Sequence, residues 1–254
     1  MYIKTTLKSR LHIAALALLI GSPLAQAGCD DPAAPRVNWK GCDKAGIDLS
    51  GMDLRGAVLN SINLEGANLN KTNLRGSHLG RANLKNANLN KANLIEANLV
   101  AADLSHASLE KTLAKQAKFD RADLSDANLN GAFLEEAHFY DANLSNAQLV
   151  KANLSKAIMN QINLSGADLS SSQMIKAELS RANLEDANLS GANLERAQLD
   201  KSFLVNTDLS NSNLSRANLA EAEMINTDIS GAQLDYTTWN DRRRCRSGSV
   251  GQCN

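Results

Sequence analysis

From Leu49 to Leu234 every fifth residue is apolar, and the frame does not slip once. Of the 38 positions in this series 31 are Leu; the exceptions are Ala114, Phe119, Phe139, Met159, Met174, Met224 and Ile229. Two residues ahead of each stands a mostly small residue, Ala in 26 of the 38 cases, and between the two there is usually Asn or Asp, as in Ala82-Asn83-Leu84 and Ala192-Asn193-Leu194. A chain with this period cannot bury its leucines as a helix, because a five-residue step rotates the side chain by roughly 140° and leaves no common stripe. A straight strand fails too: side chains alternate faces, so an odd step sends successive leucines to opposite sides. Both objections disappear if the backbone turns once per unit. The small residue and the leucine then point inward together, the other three face out, and the chain stacks coil on coil as a solenoid. Aromatic residues are only 4% of the chain, so Leu and Ala must carry the core. Pro23, Pro32 and Pro35 all precede the array, where they remove no coil-to-coil hydrogen bond.

Units such as Ala67-Asn68-Leu69-Asn70-Lys71 resemble the pentapeptide-repeat family, and the resemblance extends from about Ile47 to Leu234. It implies an all-β fold, a right-handed quadrilateral β-helix with four units per coil. The array then makes about nine and a half coils, a rod roughly 45 Å long at ~4.8 Å per coil. In that register Phe119, Phe139 and Met159 stack on one another, and Ala114 makes room beside Phe119. Relatives that resemble DNA in shape and charge and protect topoisomerases from quinolones are cytoplasmic and strongly acidic. Here the chain after residue 27 carries 24 basic and 27 acidic residues.

The segments outside the array differ in kind. Residues 1–27 read as a secretory signal: Lys4, Lys8 and Arg10, then the apolar run Leu11 to Ile20, then Ala25-Gln26-Ala27 as a cleavage site. The apolar run is too short to span a bilayer, and no later segment does so. The expected organisation is a signal at 1–27, an N-terminal cap at 28–46, the β-helix at 47–234 and a C-terminal cap at 235–254. Caps are needed because a terminal coil otherwise exposes its core and its unpaired edge. Each expected cap holds one of the two tryptophans, Trp39 and Trp239, and two of the four cysteines. In an exported chain these suggest the local disulfides Cys29–Cys42 and Cys245–Cys253, since a solenoid holds its ends too far apart for crossed pairs. The alternative for Cys29 is lipidation, which would tether the rod to a membrane and leave Cys42 unpaired.

Nothing in the residue pattern points to an enzyme, a bound cofactor or a metal centre. His78 and His138 fall on one outward column but three coils apart, about 14 Å, beyond the reach of one ion. Asp103 and Asp123 are stacked neighbours and read as an exposed acidic step in the Asn/Asp ladder. The outer surface offers two candidates for binding. Lys156, Lys176, Arg196 and Arg216 lie 20 residues apart and form a basic ridge able to grip an anionic polymer. Leu113 and Phe133 on one face with Ile95 close by, and His138, Tyr140 and Ile158 on the next face, interrupt the polar exterior as a candidate interaction patch. The expected function is therefore a non-catalytic scaffold, exported to the periplasm or beyond. Its expected partner is a protein or an anionic polymer, not nucleic acid, and a homodimer is open to it. The alternative is a DNA-mimicking gyrase inhibitor or protector.

Overall fold

The structure is a computed structural model that describes residues 28–254; the expected signal at 1–27 lies outside the described residues. Its organising element is a set of parallel β-bridges that always join residue n to residue n+20. Four ladders result. The first runs from Asn38 to Thr238, the second from Asp43 to Glu223, the third from Asp48 to Asp228 and the fourth from Asp53 to Gln233. Each bridge sits on the Asn/Asp position of a repeat unit. The coils therefore begin inside the 28–46 segment and run on past Leu234. The tryptophans mark this extension. Both occupy leucine positions in one inward column, Trp39 near its start and Trp239 at its end.

The local chemistry of one unit explains the period. The leucine C=O accepts the N–H three residues on, as from Ala82 to Leu79 at 3.0 Å. The residue before the donor is left-handed at every corner, with φ between +53° and +70° from Gly41 to Tyr236. This is the geometry of a type II turn. Glycine suits it, but Lys71, Arg81 and Glu96 adopt it as well, at a cost of roughly 1–2 kcal/mol each for a residue with a Cβ. Inter-coil hydrogen bonds offset that cost. In one unit Asn63 N–H donates to Cys42 O, Leu64 N–H to Asn83 O and Gly66 N–H to Lys85 O, at 2.9, 2.7 and 2.8 Å.

The Asn/Asp preference has two causes. The side-chain oxygen accepts the N–H two residues on, as from Lys85 to Asn83 Oδ1 at 3.1 Å, a turn within the turn. The amide also donates to its counterpart one coil back, as Asn83 Nδ2 does to Asn63 Oδ1 at 3.0 Å.

Inside, the leucines and alanines are almost wholly shielded from solvent. Phe119 and Phe139 stack face to face, with ring centroids 4.9 Å apart and planes 6° from parallel. Where Ser or Thr replaces Ala, burial must be offset by a hydrogen bond. Thr112 Oγ1 donates to Leu89 O at 2.9 Å, and Thr207 and Thr237 donate likewise to Leu184 and Leu214. The hydroxyl of Ser77 is buried with no hydrogen-bond partner among the described residues. Ser77→Ala is therefore expected to raise stability by about 1 kcal/mol, whereas Thr112→Val should lower it by about as much. Urea unfolding of the two variants checks this, and equal destabilisation would show that Ser77 has a partner after all.

The two ends close differently. At the start, Trp39 is buried and its Nε1–H donates to Asp31 O at 3.2 Å, with Lys44 Nζ 4.7 Å from the ring centroid. At the far end the chain reverses after Trp239 and runs back over the last coil. Thr238 pairs antiparallel with Arg244 and Gln233 with Val250. Cys245 N–H donates to Thr237 O and Leu234 N–H to Ser249 O, both at 2.9 Å. This tail covers the first and fourth faces and leaves the second and third open at Ala222–Gly231. There Met224 and Ile229 are only partly buried, and Ile225 is 51% exposed. The N–H groups of Met224, Asn226, Ile229 and Gly231 find no acceptor among the described residues.

Candidate functional site

The four cysteines pair locally. Cys29–Cys42 and Cys245–Cys253 are disulfides with Cα–Cα separations of 5.5 and 4.9 Å. Cys42 occupies a small-residue position and is buried, so the first bridge ties the leading segment directly to the core. Bonded in this way, Cys29 offers no thiol for a lipid.

The apolar residues singled out from the sequence fall into two groups. Leu113 and Phe133 are bridged neighbours on the fourth face, 39% and 51% exposed. Ile95, half-buried, lies at the corner beside them. His138 and Ile158 are bridged neighbours on the first face, and Tyr140 stands at its far corner, its hydroxyl 3.3 Å from Gln161 Oε1. A charged corner separates the groups. Lys115 pairs with Glu135 at 3.5 Å, and Lys156 reaches Glu135 and Glu136 at 3.6 and 3.2 Å. The sequence placed these residues on adjacent faces but did not show this partition.

The same ion pairs alter the basic ridge. Lys156, Lys176, Arg196 and Arg216 do share one corner, since the fourth-face ladder beside them steps evenly from Asn153 to Gln173, Asn193 and Asn213. Yet Arg196 is paired with Glu195 at 3.5 Å. Glu136 raises the pKa of Lys156, and hydrogen bonds from Gln116 and then Lys156 hold the Glu136 carboxyl below its usual range. Of the four cations, Lys176 and Arg216 stand outside any ion pair among the described residues.

His78 and His138 lie three bridges apart on the first face, with Asn98 and Lys118 between them, and His106 sits at another corner 3.9 Å from Asp126. Asp103 and Asp123 are bridged neighbours. Asp103 Oδ1 accepts from the Ser105 N–H and hydroxyl, and Asp123 Oδ1 from Asn143 Nδ2 and the Ser125 N–H. The Asp103 carboxylate is engaged in its own turn, and that of Asp123 in both turn and ladder.

A further apolar group went unnoticed in the sequence. Phe203, 48% exposed, Val205 and Ile225 lie beside the open half-coil at Ala222–Gly231. Their outward frame positions were legible, Val205 and Ile225 being 20 residues apart. Their place at an uncovered end was not, because it depends on the path of the tail.

With this geometry in hand, the comparisons agree on the class. The family model described as pentapeptide repeats matches in eight copies over residues 45–81, 77–113, 117–155, 147–186, 177–216 and 204–235. The chain belongs to the pentapeptide-repeat family, whose solved members have the right-handed β-helix fold. No curated protein matches the chain. Among solved structures it is similar to HetL from the cyanobacterium Nostoc sp. strain PCC 7120, a pentapeptide repeat protein involved in heterocyst differentiation regulation. Identity is 32%, the match covers 78% of this chain and 92% of HetL, and the TM-score is 0.67. It is also similar to QnrB1, a plasmid-mediated fluoroquinolone resistance protein, at 17% identity over 77% of this chain and 92% of QnrB1, with a TM-score of 0.53. The second likeness is one of fold.

Proposed function

We propose that this protein is an exported, non-catalytic scaffold, a rod of stacked coils that holds a protein partner against its side. The observation that carries the reading is the Leu113–Phe133 pair: two large apolar side chains, 39% and 51% exposed, side by side in a fourth-face ladder whose other members from Asp53 to Gln233 are Asp, Asn or Gln. Clustered apolar surface of this kind is the usual mark of an interface. The leader-like residues 1–27 and the two disulfides support export, since such bridges persist in oxidising compartments. An anionic polymer on the Lys156–Arg216 edge has weaker support, because carboxylates already compensate two of the four cations. A homodimer would use the open half-coil, where a second copy could satisfy the unpaired edge.

The test is expression with the leader in a Gram-negative host and capture of partners from the periplasm. The protein should be recovered there as a chain beginning at Gly28, and it should retain a saturable protein partner. Phe133→Asp should reduce that retention at least tenfold, while Asn153→Asp on the same face should not. A partner held equally by wild type and Phe133→Asp would remove this face from consideration. An uncleaved cytoplasmic chain that binds purified gyrase would establish the DNA-mimic alternative instead.

A further inference from the structure

The corner between the first and second faces carries a depression of about 390 Å³. Two features of the repeat open it. Residues 61, 81, 101 and 121 stack along this edge as Ser, Arg, Ala and Arg, so Ala101 leaves a gap between two long cations. On the adjoining column Gly80 has no side chain, and a Cβ there would come within 3.1 Å of Asn60 Nδ2 and 3.6 Å of Val100 O. Arg81 and Arg121 flank the gap and Lys40 borders it below, with the amides of Asn60 and Asn98 on the wall. No carboxylate lines the depression. Asp120, next along the edge, uses Oδ1 to accept the Tyr140 N–H at 3.0 Å. Neither Arg81 nor Arg121 has an ion pair or side-chain hydrogen bond among the described residues. Other cations on the rod do find carboxylates, as Arg75 does with Glu96 and Lys111 with Glu110.

We propose that this notch binds a small oxyanion ester, a phosphate or sulfate group carried on a sugar-sized polar body. Two rungs separate Arg81 from Arg121, about 10 Å between backbones. An oxyanion taking a charge-assisted hydrogen bond of about 2.8 Å on each side spans most of that gap, and the guanidinium forks present several donors to it. The remaining volume exceeds what the anion needs. Its amide walls suit the hydroxyls of a sugar, while Val100 and Ala101 give a floor for the carbon face. This assignment is independent of the protein-binding face, which lies at a different corner.

The experiment is calorimetric titration of the disulfide-bonded protein with glucose 6-phosphate, inorganic phosphate and glucose in 150 mM salt. Glucose 6-phosphate should bind saturably with one site per chain. Inorganic phosphate should bind at least fivefold more weakly, and glucose should give no signal. Ala101→Gln fills the notch without changing charge. It should fold, because Gln116 and Gln161 hold the same left-handed conformation at equivalent positions, and it should weaken binding at least tenfold with an unchanged unfolding midpoint. Arg81→Gln should do the same, and Lys176→Gln, on another corner, should leave affinity unchanged. Binding that survives Ala101→Gln but falls with Lys176→Gln would reduce the effect to general surface charge and overturn the site. Equal affinity for inorganic phosphate and glucose 6-phosphate would overturn the ester, and absence of any saturable signal would overturn both.

Discussion

Phe139→Ala is expected to lower the unfolding free energy by about 3–5 kcal/mol, the range for emptying a buried aromatic site. The ring is fully shielded and stacks on Phe119 at 4.9 Å, so its removal forfeits both burial and an aromatic pair. A solenoid makes the loss harder to absorb. Each coil touches only its neighbours, and the hydrogen-bonded coils above and below cannot close on the gap without breaking their 20-residue register. Phe139→Leu is the informative partner, since Leu is the usual occupant of this column. It should cost under about 1.5 kcal/mol. Urea unfolding followed by circular dichroism measures both. A Leu variant as damaged as the Ala variant would mean that the stacked pair itself, not the filled volume, holds this coil.

Reduction of the two disulfides is expected to destabilise the ends and spare the middle. Closing loops between residues 13 and 8 apart is worth roughly 3 kcal/mol each in the chain-entropy account. Both bridges anchor segments that cover terminal coils, the first through the buried Cys42 and the second through a tail that pairs with Thr238 and Gln233. In a nearest-neighbour stack the loss should appear as fraying. Amide exchange should speed up at least tenfold around Trp39 and Leu234, while the coil holding Phe119 to Phe139 keeps its protection. If the central amides lost protection in step with the terminal ones, the rod would be a single cooperative unit and the caps would stabilise all of it.

Much of this architecture was legible from the five-residue period, because only one arrangement lets every leucine and its small companion face one core. The four-unit coil that the family resemblance implies placed Leu113 beside Phe133 and stacked Phe119 on Phe139, and the distance between the ends of a solenoid paired the cysteines within each end. Less legible were the boundaries. Trp39 and Trp239 stand in the leucine frame, yet their bulk and the cysteines around them look like cap chemistry, and coils and caps share the residues from Asn38 to Asp43. The four cations of the basic ridge share one corner, and the pairing of Lys156 and Arg196 with carboxylates was not legible. The carboxylates that pair with Lys156 lie 20 and 21 residues away, so their contact depends on how long side chains settle across rungs. The notch at Arg81 and Arg121 escaped notice because it arises from side chains that are missing, at Gly80 and Ala101, rather than from a motif.

The sequence by itself determined the period, the inward set and the polar exterior, because burying one leucine in five leaves the backbone a single way to turn. Tertiary structure decided what no local rule specifies. Lys, Arg and Glu are held left-handed at corners because inter-coil hydrogen bonds outweigh the strain. The tail turns back over two faces of the last coil and leaves the other two open. Those outcomes depend on contacts between residues 20 apart or more, where the stacking of coils, not the preference of any one unit, sets the lowest free energy.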